Sequence, residues 1–277
     1  MIPVSFEYQK VNTIKEALTA LAGTDVKLLA GGYSLVPAMK LRLTRPSKII
    51  DIAEINELKG IFEEDGEIVI NAGTTHKEIL HNEIIKKHLS FFEQAAGSIG
   101  DVQVRNRGTI GGSIAHADPS ADWPALILAA DATIIAESTK GKRKIRSSEF
   151  FTGMFSTALQ NNEIITSIRI PVPAGGSKSV YLNFEQPASR FAIIGCAVLK
   201  NKDGRINIAF TGASEFPFRE SEAEKYLTGK PLNSENIEKA VNVAFNGVDF
   251  LSDHYASADY RKHLAQTYLK KALQAVA

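Results

Sequence analysis

Two adjacent glycine pairs carry the clearest chemical signal in the chain. Gly31 and Gly32 lie in "LLAGGYSLVPAMKLRL" (28–43), and Gly111 and Gly112 in "VRNRGTIGGSIAHADPSADWP" (104–124). Hydroxyl side chains flank both: Ser34 follows the first pair, and Thr109 and Ser113 bracket the second. Glycine tolerates backbone angles that side-chain-bearing residues resist. Successive N–H groups can then converge on one concavity that binds an anion, and the missing Cβ atoms let a ligand approach the backbone. The hydroxyls add donors for phosphate oxygens. Two such loops are suited to grip one diphosphate from opposite sides. Neither G-x-x-x-x-G-K-[ST] nor G-x-G-x-x-G occurs, which argues against a P-loop and against a Rossmann dinucleotide fold.

The elements that must position these loops alternate in type. "TIKEALTALAG" (13–23) has apolar residues at helical spacing and stops at a glycine. "VKLLA" reads as a strand running into the first pair. "SLVPAMKLRL" reads as a helix with Ser34 as N-cap and Pro37 in its first turn. "KIIDI" and "EIVINAG" (67–73) are further strands, and an apolar or basic strand is expected before the second pair as well. Thr75 with Glu78 fits a capping box opening one helix, "HKEILHNEIIKKH". "ADWPALILAAD" reads as a helix, and "ATIIAES" and "EIITSIRIPVP" (163–173) as strands.

"PAGGSKS" (173–179) is the best linker candidate. After it come strands "VYLNFEQ", "FAIIGCAVLKN" and "RINIAFTGAS", the last two joined by the hairpin signal "KDG". The remainder is mostly helix, with Ser234 placed to cap "SENIEKAVNVAFNGV". The pattern is α+β: one domain over 1–175, subdivided near residue 55, and a second over 176–277.

Composition narrows the partners. With 277 residues, 44% hydrophobic, 23% charged and a formal net charge of +1, the chain has ordinary globular chemistry and no nucleic-acid or anionic-membrane footprint. No run approaches the roughly 18 apolar residues of a membrane span. The segment "MIPVSFEYQK" does not read as a signal peptide, so a cytoplasmic location is expected. The single cysteine, Cys196, cannot form an internal disulfide. An iron–sulfur cluster takes about four cysteine ligands, so none can be housed by this chain alone.

Other conspicuous residues have plain structural readings. His81 and His88 read as solvated on a helix surface, whereas His116 is divided between cofactor contact and a structural role. Arg105 and Arg107 either offset diphosphate charge or sit solvated, and the second is preferred. Turn and cap roles suffice for Asp118 and Asp122. "KGKRKIR" (140–146) reads as a solvated turn, Cys196 as a core residue, and Trp123 as the anchor of its helix.

"AGGYSLVPAMKLR" and "RNRGTIGGSIAHADPSADWPA", with "EIITSIRIP" and "SDHYASADYRKHLAQ", resemble the FAD subunits of molybdenum hydroxylases. That family includes the medium subunit of aerobic carbon monoxide dehydrogenase and the FAD subunit of xanthine dehydrogenase. The resemblance implies a two-subdomain FAD-binding domain of the vanillyl-alcohol-oxidase type followed by the family's small C-terminal domain, with FAD held noncovalently. It implies that Ala30 to Ser34 and Thr109 to Ser113 cradle the diphosphate, that Asp122 contacts the ribityl or phosphate region, and that Ile165 lies against the flavin. The cofactor-binding set it suggests is Leu29, Ala30, Gly31, Gly32, Tyr33, Ser34, Leu35, Ile99, Thr109, Ile110, Gly111, Gly112, Ser113, His116, Asp118, Asp122, Ile165 and Asn183.

This chain departs from the family pattern at several places. Ser113 stands where asparagine is usual and Tyr33 where histidine or threonine is common. Asn183 and Pro187 replace frequent basic residues, and Phe191 a tyrosine of some members. Loss of two basic residues near the flavin would alter its potential or its acceptor. The expected function is FAD-mediated electron transfer. A partner with two [2Fe–2S] clusters would supply electrons from a molybdenum-cofactor subunit, within a dimer of heterotrimers. No residue is nominated as acid, base or nucleophile. The alternatives are a self-contained FAD oxidase or dehydrogenase of the same fold, and a non-catalytic nucleotide-binding module.

Overall fold

A computed structural model describes residues 1–277. The first lobe holds β1 (Glu7–Lys10), α1 (Ile14–Ala20), β2 (Val26–Leu29), α2 (Leu35–Lys40) and β3 (Lys48–Asp51). Its strands form a parallel sheet in the order β1-β3-β2. Parallel neighbours need crossover connections, and α1 and α2 supply them. The lobe's core is small, built on Val11, Ala17, Leu18, Leu21, Ile50, Ile55 and Leu58.

The second lobe opens with β4 (Ile61–Glu64) and β5 (Glu67–Asn71). A run of helices follows: α3 (His76–His81), α4 (Glu83–His88), α5 (Ser90–Ser98), α6 (Val102–Arg107), α7 (Ile110–His116) and α8 (Trp123–Ala129). Next come β6 (Thr133–Ser138), β7 (Gly141–Arg146), α9 (Ser147–Phe150), the small hairpin β8 (Phe151–Gly153) with β9 (Ser156–Thr157), and β10 (Ile164–Pro171). The main sheet is antiparallel, in the order β4-β5-β10-β6-β7. Alternate residues of a strand share a face, and Ile68, Ile70, Ile134, Ile168 and Ile170 join one core with Phe91, Phe92 and Trp123 of the helices.

A turn over 172–177 leads to β11 (Lys178–Glu185), β12 (Ala192–Lys200), β13 (Ile206–Thr211) and β14 (Phe218–Arg219), then α10 (Ser221–Leu227), α11 (Ser234–Val243) and α12 (Ala258–Ala275). This sheet is antiparallel in the order β11-β12-β13-β14. Both its faces are buried, which explains the unbroken apolar runs of β12 and β13. Ile194, Cys196, Val198, Ile208 and Phe210 pack with the C-terminal helices. Tyr181, Ala197 and Ala209 pack into the second lobe's core.

Several local expectations are corrected. Residues 76–88 form two helices because Asn82 interrupts them: its side chain accepts from Ile84 N and Ile85 N at 2.9 and 3.2 Å, capping the second. The cap of α11 is Asn233, which accepts from Asn236 N at 2.9 Å, so Ser234 lies inside the helix. Residues 141–146 are not a turn but edge strand β7, with Lys142, Lys144 and Arg146 exposed and Ile145 buried. Charged residues on an edge discourage pairing with other chains. His88 is half-buried, its Nε2 3.3 Å from Glu63 Oε1 without hydrogen-bond alignment. His81 is exposed as expected.

Candidate functional site

The first glycine pair is an open bend. Gly32 has φ +80, in the left-handed region that favours glycine. None of the backbone N–H groups of Ala30, Gly31, Gly32, Tyr33 or Ser34 finds an acceptor within the chain. Five consecutive amides left this way, as counted from the same bonds, form the kind of donor run that binds an anion. Ser34 occupies the N-cap position of α2 but makes no side-chain cap bond, so its hydroxyl is also available, contrary to the capping role expected for it. Tyr33 and Ser34 are exposed, and Leu29 and Leu35 on either side are half-buried.

The second pair is built differently. Helix α6, capped by Asp101 through a 2.8 Å bond from Val104 N, precedes it where a strand was expected. Gly111 and Gly112 form the first turn of α7. Their amides are already engaged: Gly111 N donates to Ala72 O at 2.9 Å and Gly112 N to Thr109 Oγ1 at 3.1 Å. Ile110 N and Ser113 N bond to Thr74 O and Thr109 O at 3.1 and 3.0 Å. The nest expected from this pair is therefore absent. Gly111 instead allows close packing, since a Cβ there would lie 2.6 Å from Ala72 O. What α7 offers outward is the bare backbone of Gly112 and the side chains of Ser113 and His116, while Ile110 and Ile114 face the core.

The two segments meet. A Cβ on Gly31 would strike the Arg107 carbonyl and stand 2.7 Å from Gly108 Cα. A Cβ on Gly112 would come within 3.9 Å of Ala30 Cβ. The open bend of the first lobe thus rests against the start of α7 in the second. A phosphate-bearing ligand fits this junction, with amide donors on one side and a hydroxyl-bearing helix face on the other.

Beneath Gly108 sits a residue that the sequence reading passed over. His76 is buried, Trp123 Nε1 donates to its Nδ1 at 3.1 Å, and a Cβ on Gly108 would be 2.7 Å from its Nε2. Burial, aided by the Arg105 charge, pulls its pKa down to about 4, so the ring is neutral and Nε2 carries its proton. Only the capping box at Thr75 hinted that this position starts a helix against the second glycine segment.

Asp122 joins the second lobe to the C-terminal domain. Its carboxylate Oδ1 accepts from Tyr181 OH at 2.5 Å and from Asn183 Nδ2 at 3.2 Å. It stands at the N-cap position of α8 but makes no side-chain cap bond. Burial raises its pKa to about 7, against the lowering effect of both donors. Gly195 makes this geometry possible, since a side chain there would strike the Tyr181 hydroxyl. The Tyr181 phenol was not anticipated; its signal was the aromatic in "VYLNFEQ", two strand residues from Asn183, which pairs with Gly195 across the sheet. Asp118 accepts from Ser120 N at 2.9 Å in a local turn. The Pro119–Ala121 loop is docked on β13, where Thr211 Oγ1 lies 2.7 Å from both Pro119 O and Ala121 O and has one proton to share between them.

His116 lies 5.1 Å, ring to ring, from Phe155 of the β8–β9 hairpin. Ile99 closes α5 and is half-buried. Arg105 is not free in solvent: its Nη1 donates to Ile99 O and Gly100 O at 3.0 and 3.1 Å. Ile165 sits at a bulge of β10 and is 5% exposed within the second lobe's core. Cys196 is buried, and burial pushes its thiol pKa up, as a core residue requires.

Fold and junction together define a flavin-dinucleotide-binding protein without a Rossmann motif. Two family models match: the FAD binding domain in molybdopterin dehydrogenase over residues 4–173, and the CO dehydrogenase flavoprotein C-terminal domain over 179–276. The chain belongs to this family of FAD-binding oxidoreductase subunits. It is 38% identical to the carbon monoxide dehydrogenase medium chain of Hydrogenophaga pseudoflava, covering 99% of this chain and 98% of that one. It is 36% identical to the glyceraldehyde dehydrogenase medium chain of Sulfolobus acidocaldarius, over the full length of both at 100%. Among solved structures, carbon monoxide dehydrogenase from Hydrogenophaga pseudoflava matches with a TM-score of 0.96 at 39% identity, covering 100% of this chain and 98% of that one. Quinoline 2-oxidoreductase from Pseudomonas putida 86 matches with a TM-score of 0.93 at 27% identity, covering 100% and 98%.

Proposed function

We propose that this chain is the FAD-bearing electron-transfer subunit of a molybdenum hydroxylase complex. A small partner with two [2Fe–2S] clusters would deliver electrons from a large molybdenum-cofactor subunit, and an external acceptor would remove them. A dimer of heterotrimers is the assembly we favour. The observation that carries the reading is the run of unengaged amides at Ala30–Ser34 set against Gly112 at the start of α7. Bound FAD would supply the two-electron store that links one-electron donors to a two-electron acceptor.

The chain's own residues would bind and orient. The Ala30–Ser34 amides, with the Ser34 hydroxyl, would take the diphosphate. Ser113 and His116 would close on it from α7. Thr109 would fix the first turn of that helix, and Gly111 would hold it down on β5. The Asp122 carboxyl, steadied by Tyr181 and Asn183 through Oδ1, would offer its second oxygen to a ribityl hydroxyl. Leu29, Leu35 and Ile99 would give apolar sides. Asp118 shapes the loop that carries Asp122, and Ile110 and Ile165 support the site from the core. The lone buried cysteine fits a division of labour in which cluster ligands belong to another chain.

Two experiments test this. Titrating the purified chain with FAD should give a stoichiometric yellow complex; a chain that takes up no FAD overturns the proposal. Mixing that complex with candidate alcohols or aldehydes, with no other chain present, should leave the flavin oxidised. Rapid bleaching would favour the self-contained oxidase.

A further inference from the structure

We propose that Arg261, in the C-terminal domain, is a positioning residue for the FAD site: it fixes the two strand ends that hold the loop between α7 and Asp122. This rests on the FAD reading above and extends it to a residue given no role there.

The loop is held mainly from outside its own lobe. It leaves α7 through Ala117, whose φ is +50. Gly212 N donates to Pro119 O at 2.7 Å, and Ala192 N donates to Ser120 O at 3.2 Å. The Thr211 hydroxyl lies beside Pro119 O and Ala121 O. These donors stand at the start of β12 and the end of β13. From the second lobe, Phe155 N donates to Ala117 O at 3.2 Å. The backbone that delivers Asp122 is therefore placed largely by two strand ends of the other domain.

Arg261 ties those ends together. It lies near the start of α12 and is 2% exposed. Its Nη1 donates to Ile193 O at 2.6 Å and to Gly212 O at 2.7 Å, and its Nη2 donates to Asp253 Oδ2 at 2.6 Å. Ile193 follows Ala192 in the chain, and Gly212 is itself the donor to Pro119. A single guanidinium nitrogen thus fixes the backbone at, or one residue from, both amides that grip the loop. The ends are closely set: Gly212 has φ +74, and a Cβ there would lie 2.6 Å from the carbonyl oxygens of both Ala192 and Ile193.

Stability alone does not call for a guanidinium here. Burying a charge is costly, and apolar side chains of similar size often serve a core as well or better. Nor does this side chain use all its donors: Nε is buried without a partner, while Nη1 serves two carbonyls. Its position is set for those carbonyls. Asp253 is steadied in turn by Tyr255 N and Ala256 N, which donate to its Oδ1 at 2.8 and 3.0 Å. Asp122 itself takes bonds from Tyr181 and Asn183 of the same sheet. Arg261 therefore helps to fix the spacing between α7, which carries Gly112, and the Asp122 carboxyl. A ligand that reaches from the amide run to Asp122 depends on that spacing.

The test compares R261Q with D253N in the full chain. Asparagine at 253 keeps Oδ1 for Tyr255 N and Ala256 N and leaves both carbonyl bonds of Arg261 in place, but it removes the paired charge. D253N should therefore lose stability in urea and keep wild-type FAD affinity. R261Q should bind FAD about tenfold more weakly, the effect of losing one well-placed hydrogen bond. In its apoprotein the Gly212 and Ala192 amides should exchange hydrogen about tenfold faster, as their bonds to Pro119 O and Ser120 O open more often. Wild-type FAD affinity in folded R261Q, or unchanged exchange at both amides, would overturn the inference and leave the FAD reading standing. So would an equal weakening in D253N, since lost domain stability would then account for both. Failure of the unaltered chain to bind FAD would overturn the FAD reading and this role with it. Circular dichroism and Trp123 fluorescence report folding. If R261Q is unfolded, R261K, which keeps the charge but not the planar fork, carries the test on the same criteria.

Discussion

The two glycine pairs have the same composition and opposite uses. At Gly31–Gly32 the backbone is open, Gly32 is left-handed, and the amides from Ala30 to Ser34 have no acceptor in the chain. At Gly111–Gly112 the backbone is helical, and both amides are bonded to Ala72 and Thr109. The first pair leaves donors free for a ligand, whereas the second removes bulk so that α7 can press on β5 and face the first bend. A glycine pair in a sequence says that the backbone must be bare; it does not say whether for a ligand or for a neighbouring strand.

The comparison breaks most visibly at Gly111. Gly111→Val puts a side chain into Ala72, where even a Cβ would be 2.5 Å from the Ala72 Cβ. Overpacking of this kind costs about 3 kcal/mol, so urea denaturation should show a large loss of stability and FAD retention should fall with the fold. Gly32→Ala should act in the reverse sense. The left-handed bend costs a side-chain-bearing residue about 1 kcal/mol, so the apoprotein stays folded, but the amide run is distorted and FAD affinity should drop by about tenfold or more.

Asp122 sharpens the contrast between ligand-directed and structural polar groups. Its pKa is raised to about 7 in the folded chain, against an ordinary 3.8. The native state therefore holds its proton more tightly than the unfolded state does. Stability from this group is full below the ordinary value and is lost as pH rises through about 7. Asp122→Asn removes the titration, so the apoprotein variant should gain about 4 kcal/mol relative to the wild type on going from about pH 4 to about pH 8. Paired urea melts at the two values check this. Equal pH dependence in both proteins would show that the carboxyl is not held in a buried site.

The smallest effect is expected at Gly112→Ala. The new methyl would meet Thr109 Oγ1 at 2.8 Å and approach Ala30 Cβ at 3.9 Å. Loss of the Thr109 cap costs about 1 kcal/mol, and FAD binding should weaken by a few-fold as the methyl enters the junction. Equilibrium dialysis with FAD measures it.

Much of this was legible in the sequence because it is local. The strand into the first loop, the Thr75–Glu78 box and the C-terminal hairpin all follow from short patterns, and their observed bounds lie close to the expected ones. The glycine motifs also identified the family. What could not be read depends on contacts between distant residues. That the Gly111 amide is taken by Ala72, that Gly31 rests on the Arg107 carbonyl, and that Tyr181 reaches Asp122 are tertiary facts with no local signature. Residues 141–146 looked like a turn because the charges needed on an exposed edge strand mask the single buried Ile145. Arg105 looked solvated because the carbonyls it binds belong to a bend, Ile99–Gly100, whose shape only the fold reveals.

The most direct test follows the backbone amide resonances of Gly31, Gly32, Tyr33 and Ser34 as FAD, or riboflavin lacking the diphosphate, is added. The account predicts that FAD shifts these amides and slows their hydrogen exchange, that riboflavin leaves them nearly unchanged, and that the bonded Gly111 and Gly112 amides keep their slow exchange throughout. First-bend amides indifferent to FAD, or answering riboflavin equally, would contradict it.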